Sequence, residues 1–159
     1  MTPNLVHLRT RRCVVAREVW SRLIEVLSAS RARDHEGVTY FIGQTNGAVT
    51  AVLASVNVLS RSAVGSFRVP ANEMRRVVDA ANNLGLQVVG QLHTHPEEAF
   101  HSAGDAMGAQ IKYDGYVSIV VPFYGHGLPS LVGVKSYMFD GKRERFVEIA
   151  NPDILDAVL

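Results

Sequence analysis

The residues whose types and spacing could do chemistry lie in the run His93-Thr94-His95-Pro96 and in Ser102 and Asp105 beyond it. The residues ahead of the run, Leu86-Gln87-Val88-Val89-Gly90-Gln91-Leu92, are mostly apolar and fit a short buried strand. Side chains alternate along a strand, so His93 and His95 are expected on one face, with Cα atoms about 6.5–7 Å apart at roughly 3.3 Å per residue. Two imidazoles at that separation can converge on one ion. Thr94 should face the other way, and Pro96 ends the strand because it has no N–H to donate. A carboxylate must then return toward the imidazoles. Asp105 can do so if Ser102 caps a helix that begins there. Two histidines and one aspartate leave the fourth position of a tetrahedral zinc open for water, the arrangement of a catalytic site. Taken singly, an H-x-H pair is more often structural and S-x-x-D is an ordinary helix cap. Their order along the chain is what points to a metal centre.

Hydrolysis of an amide also needs a base. Zinc lowers the pKa of water from about 15.7 to near 7, but the departing amine still requires a proton. Glu36 is the best-placed carboxylate. It opens Glu36-Gly37-Val38-Thr39-Tyr40-Phe41-Ile42-Gly43, whose β-branched and aromatic residues read as a strand. Without the downstream motif it would be a solvated acid in a polar turn.

Glu36 seven positions before Gly43, then His93-x-His95-Pro96, then Ser102-x-x-Asp105, resembles the signature of the JAB/MPN+ (JAMM) metalloprotease family. The resemblance covers roughly residues 14 to 140. It implies an α/β fold, a single-domain JAB1/MPN-like (cytidine-deaminase-like) mixed β-sheet flanked by helices, spanning 1–159. It implies Zn2+ on His93, His95 and Asp105, Glu36 as acid/base, and Ser102 supporting the oxyanion. Nine residues separate His95 from Asp105 where ten are expected in eukaryotic members, so this loop is one residue tighter. The substrate implied is the C-terminal tail of a ubiquitin-like protein. Pro122-Phe123-Tyr124-Gly125-His126-Gly127 is similar to segments in bacterial operons that carry ubiquitin-like, E1-like and E2-like proteins, often linked to phage defence. Within the same chemistry, a peptidase that processes sulfur-carrier proteins is the alternative. A non-catalytic MPN scaffold would lose ligands that are all present here. A RadC-like protein tied to DNA repair fits poorly with the near-neutral charge and with Glu36.

At 159 residues the chain is long enough for one sizeable core. Its formal net charge of +1 gives no general drive toward nucleic acid or an anionic membrane. No run is apolar for 18 residues, and Met1-Thr2-Pro3-Asn4 lacks a signal-peptide pattern, so a cytoplasmic protein is expected. Cys13 is the one cysteine, expected to pack as a small apolar residue. Arg9, Arg11, Arg12 and Arg17 form a basic cluster, read as a solvated face or a contact for an acidic partner.

Several elements must position these residues. Trp20, Leu23, Ile24 and Leu27 predict an amphipathic helix over 16–30. Residues 38–43 and 48–59 read as paired strands around Thr45-Asn46-Gly47. Met74, Val77, Val78 and Ala81 mark a helix after Pro70, closed by Leu84-Gly85-Leu86. Tyr116–Pro122 and Leu131–Phe139 read as strands, and the tail 151–159 as a short helix docked on its own core or on another subunit. Segments 64–69 and 97–101, with Gly65 and Ser66, are candidates to cradle a substrate tail. His101 and His126 are open to substrate contact, His35 to tuning Glu36, and His7 carries no signal.

Overall fold

A computed structural model describes residues 10–32, 37–58, 61–63, 66–99 and 111–156. Strand β1 (Arg12–Ala16) leads directly into helix α1 (Arg17–Ala32). A hairpin follows, β2 (Val38–Thr45) and β3 (Val49–Val58), then a small one, β4 (Arg61–Ala63) and β5 (Ser66–Arg68). Helix α2 (Ala71–Asn83) precedes β6 (Gln87–Thr94). The chain ends in β7 (Val117–Val121), β8 (Lys135–Asp140), β9 (Arg145–Ile149) and β10 (Asp153–Leu155). Eight strands form one mixed sheet in the order β10-β1-β3-β2-β6-β7-β8-β9, and β4 and β5 pair with each other.

A helix covers each face of this sheet, so its central strands are apolar almost without interruption. Along β2, Phe41 packs with Trp20, Leu23 and Leu27 of α1, while Tyr40 and Ile42 pack with Met74, Val77 and Ala81 of α2. Val78 was expected in the same helical face but is 40% exposed. Only the narrower Met74, Val77, Ala81 stripe meets the sheet. The helix stops at Leu84 because Gly85 takes φ +66°, a conformation glycine adopts without strain. The pairing of β2 with β3 slips between Ile42 and Gly43. There a Cβ on residue 43 would sit 1.8 Å from the Ala51 carbonyl oxygen, so only glycine fits.

The described part of the tail, residues 151–156, is not a helix. Residues Asp153–Leu155 add to β1 as a parallel strand, pairing Val14 with Asp153 and Ala16 with Leu155. Nine residues make a marginal helix in water, whereas the open edge of β1 offers unpaired main-chain groups and Ile154 a place on the α1 core. The tail therefore docks on its own chain. Likewise Leu131–Val134 is a turn, and the strand starts only at Lys135. Because β9 lies at one edge of the sheet and β10 at the other, the link from Ile149 to Asp153 can span at most about 14 Å. The sheet curls around α1, and Ile149 and Ile154 from its two edges meet the same core.

Arg11 ties the lower rim of this curl. Its guanidinium donates to the Gly47 carbonyl at 2.9 Å and to Asp114 at 3.2 Å, and lies 3.5 Å from Asp140. Arg12 pairs with Asp153 and Arg17 with Asp156. These three arginines of the basic cluster thus meet aspartates of their own chain; Arg9 lies outside the described residues. Burial pulls the Asp140 carboxyl upward, but the backbone N–H groups of Arg143 and Lys142 and the guanidinium groups of Arg11 and Arg143 outweigh it and hold it below its usual range. A depressed carboxyl stabilises the fold above its unfolded pKa and stops doing so as pH falls through the folded value. Asp140→Asn is therefore expected to lose less thermal stability than the wild type on acidification below the carboxylate range. Parallel melting curves of the two proteins against pH check this, and superimposable acid limbs would contradict it.

Candidate metal centre

The histidines stand at the carboxyl end of β6, between an antiparallel neighbour and a parallel one. Val38 of β2 and Val120 of β7 flank His93 in register. Leu92 joins the α1 side of the core, so His93 and Gln91 belong to the α2 side. His93 is 1% exposed and His95 half-buried. Their ring centroids are 6.0 Å apart and tilted by 53°. Both ring nitrogens of His93 and Nδ1 of His95 are shielded from solvent. The two rings are thus neighbours at the carboxyl end of β6.

Thr94, between them, does more than point away. Its N–H donates to the Gly37 carbonyl at 3.0 Å, and its hydroxyl accepts from the Gly37 N–H at 2.7 Å. This reciprocal pair fixes Gly37 against the middle of the H-x-H run. His95 continues the ladder past the end of the strand, donating to Val121 at 2.7 Å and accepting from Tyr124 at 2.8 Å. Phe123 donates to Glu97 at 3.0 Å. The chain after the histidines is thereby stitched to the turn after β7. In that turn Phe123 and Tyr124 hold φ values of 52° and 53°, a left-handed conformation that disfavours each non-glycine residue by roughly 1–2 kcal/mol. Strain of this kind collects at functional sites, and Phe123 is also 53% exposed. Glu97 and Glu98 are exposed on the facing loop.

Of the residues singled out from sequence, the structure brings His93 and His95 together. Glu36, Ser102 and Asp105 lie outside the described residues, as do His7, His35, His101, Val64 and Gly65. Ser66–Arg68 form β5, and Val69 is buried. His126 is exposed in the turn after Phe123–Gly125. Cys13 is buried, and burial, with Asp153 nearby, pushes its thiol up to about 12, so it is no nucleophile.

The two imidazoles fit a zinc ion. With Zn–N near 2.1 Å, each ring centroid lies roughly 3.2 Å from the metal, and a tetrahedral angle sets two centroids about 5.2 Å apart. The observed separation of 6.0 Å is close to that value. Among the described residues no third histidine, cysteine, aspartate or glutamate completes a set with them.

Sequence reasoning missed the Thr94–Gly37 clasp and the left-handed Phe123–Tyr124 turn. The first joins residues 57 apart in the chain and carries no local signal. The second had one hint, a Pro-aromatic-aromatic-Gly sequence directly after an apolar strand.

A curled mixed sheet between two helices, with an H-x-H pair at the end of a central strand, defines a small α/β domain with a candidate metal centre. Residues 19–136 match the family described as prokaryotic homologs of the JAB domain, and the chain belongs to that family. A Sinorhizobium fredii protein named "Probable metalloprotease y4jG" is 29% identical over 113 residues, covering 68% of this chain and 69% of that protein. The fold is similar to the solution structure of a Desulfitobacterium hafniense protein, with TM-score 0.67, 19% identity, and coverage of 92% of this chain and 94% of that one. A Salinibacter ruber protein is similar at TM-score 0.60 and 22% identity, over 90% and 92% of the two chains. At these identities the two structures speak for the fold alone. Among the described residues no helix is long and apolar enough to cross a membrane.

Proposed function

We propose that this protein is a zinc-dependent peptidase that cleaves an amide or isopeptide bond after the C-terminal tail of a ubiquitin-like protein. The observation that carries the reading is the pair of imidazoles at the carboxyl end of β6, 6.0 Å apart, in a chain of the JAB family. The relative named a probable metalloprotease supports it. His93, His95 and Asp105 are the proposed ligands. When bound, the metal would supply Lewis-acid polarisation of the scissile carbonyl and a water of lowered pKa.

The remaining work falls to the chain's own residues. Glu36 takes the proton and delivers it to the departing nitrogen. Its covalent neighbour Gly37 is clasped to Thr94, between the two histidines, which favours this assignment. Ser102 donates to the developing oxyanion. The rim made by Phe123, Glu97 and Glu98 is where an extended tail would enter, with the Phe123 ring offering apolar contact. We assign such a tail small terminal residues, since His93 is itself buried. The pathway we assign is a bacterial ubiquitin-like conjugation system with E1-like and E2-like partners, in the cytoplasm.

A ubiquitin-like fusion compared with its isolated tail peptide tests the substrate class. The fusion should be cleaved at least tenfold more efficiently, since its globular body adds contacts that the peptide lacks. Equal cleavage of the two would mean that the body goes unrecognised and would favour a general peptidase.

A further inference from the structure

A row of polar side chains crosses the sheet one step beneath the histidines. The register aligns Tyr40 with Gln91, Gln91 with Ser118, and Ser118 with Tyr137, one residue from each of β2, β6, β7 and β8. The next row toward the carboxyl end of β6 holds Val38, His93, Val120 and Lys135. Gln91 precedes His93 by two positions and shares its face. Gln91 and Ser118 are 1% and 0% exposed, in the interior of the sheet. The Tyr116 hydroxyl donates to Gln91 Oε1 at 3.1 Å. Gln91 Nε2 and Ser118 Oγ remain, on adjacent strands in register, buried and without a hydrogen-bond partner among the described residues. Native proteins rarely leave two such groups together, and ordered water is the usual partner where they do.

We infer that Gln91 and Ser118 are positioning residues that hold an ordered water against the ring of His93 and thereby fix which of its nitrogens carries the proton. The inference rests on the reading of His93 as a metal ligand. An imidazole that gives one lone pair to a metal keeps its proton on the other nitrogen, and that N–H needs an acceptor. A water in this row accepts from the His93 N–H and from Gln91 Nε2, and donates to Ser118 Oγ. The backbone spacing of the sheet allows it. Adjacent strands lie about 4.8 Å apart and same-face residues roughly 6.6 Å apart, and one water joins groups separated by about 5–6 Å. The Tyr116 hydroxyl holds the Gln91 amide so that its nitrogen, not its oxygen, is left for the water.

Ser118→Ala removes the acceptor with little change of volume. Gln91→Met combined with Tyr116→Phe removes the other anchor together with its own partner, so that no new polar group is orphaned. Two measurements apply to each variant. Zinc affinity is read by competition with a chelating dye, and the His93 tautomer by nitrogen-15 NMR of the metal-free protein at alkaline pH. A melting temperature near that of the wild type, taken in chelator, shows that each variant folds. We expect zinc affinity to fall about 10–100-fold and His93 to pass from one tautomer to a mixture. An unchanged single tautomer in both variants overturns the inference, whatever the affinity does. If the wild type takes up no zinc, the metal reading fails, while the tautomer comparison still decides the water.

Discussion

Replacing His93 and His95 together by alanine is expected to reduce bound zinc from about one ion per chain to nearly none. The two rings lie 6.0 Å apart at the carboxyl end of β6, and each would supply one nitrogen to the ion. A carboxylate left alone is a hard oxygen ligand that does not hold zinc against buffer and water. His93 is buried, so the double variant also opens a cavity, and its circular dichroism and melting curve must accompany the metal analysis. His95 is half-buried, and His95→Ala alone should weaken binding with less damage to packing. Undiminished zinc in a folded double variant would remove the site from β6 altogether.

Glu36→Gln is expected to separate binding from turnover. The glutamine keeps the size of the side chain and loses the proton-accepting group. The variant should retain zinc at wild-type stoichiometry while its cleavage rate drops by about 10²–10⁴, the usual contribution of a general acid–base residue. The loss should fall in kcat more than in KM, because proton transfer belongs to the chemical step. Thr94→Val offers a related comparison. It removes the hydroxyl that accepts from Gly37, so it should disturb Glu36 indirectly and reduce activity by less. Full activity in Glu36→Gln would return that residue to an ordinary turn position and send the search for the base elsewhere.

The parts of this fold written in local sequence were readable. Helix α1 announces itself through Trp20, Leu23 and Leu27, and β6 through an apolar run closed by His-x-His-Pro. The β2–β3 hairpin declares its turn at Asn46-Gly47, where the Asn46 side chain accepts from the N–H groups of Ala48 and Val49. What escaped depends on partners far away in the chain. Strand β10 is a strand because β1, about 140 residues earlier, leaves an edge open. Strand β9, where Arg145 and Glu148 flank Phe146 and Val147, was not read from the sequence and is held as a strand by its pairing with β8. Arg11 looked like one member of a basic patch because nothing nearby reveals Asp114 and Asp140. The site divides in the same way. The alternation of a strand predicts that His93 and His95 share a face, whereas the clasp between Thr94 and Gly37 follows from which strand lies next to β6.

Cleavage of a folded ubiquitin-like fusion before chelation, after chelation and after zinc is restored tests the central claim most directly. The account predicts cleavage by the purified protein, its loss when the metal is stripped, and its return on adding about one equivalent of zinc per chain. Cleavage that continues undiminished in metal-free protein would contradict it.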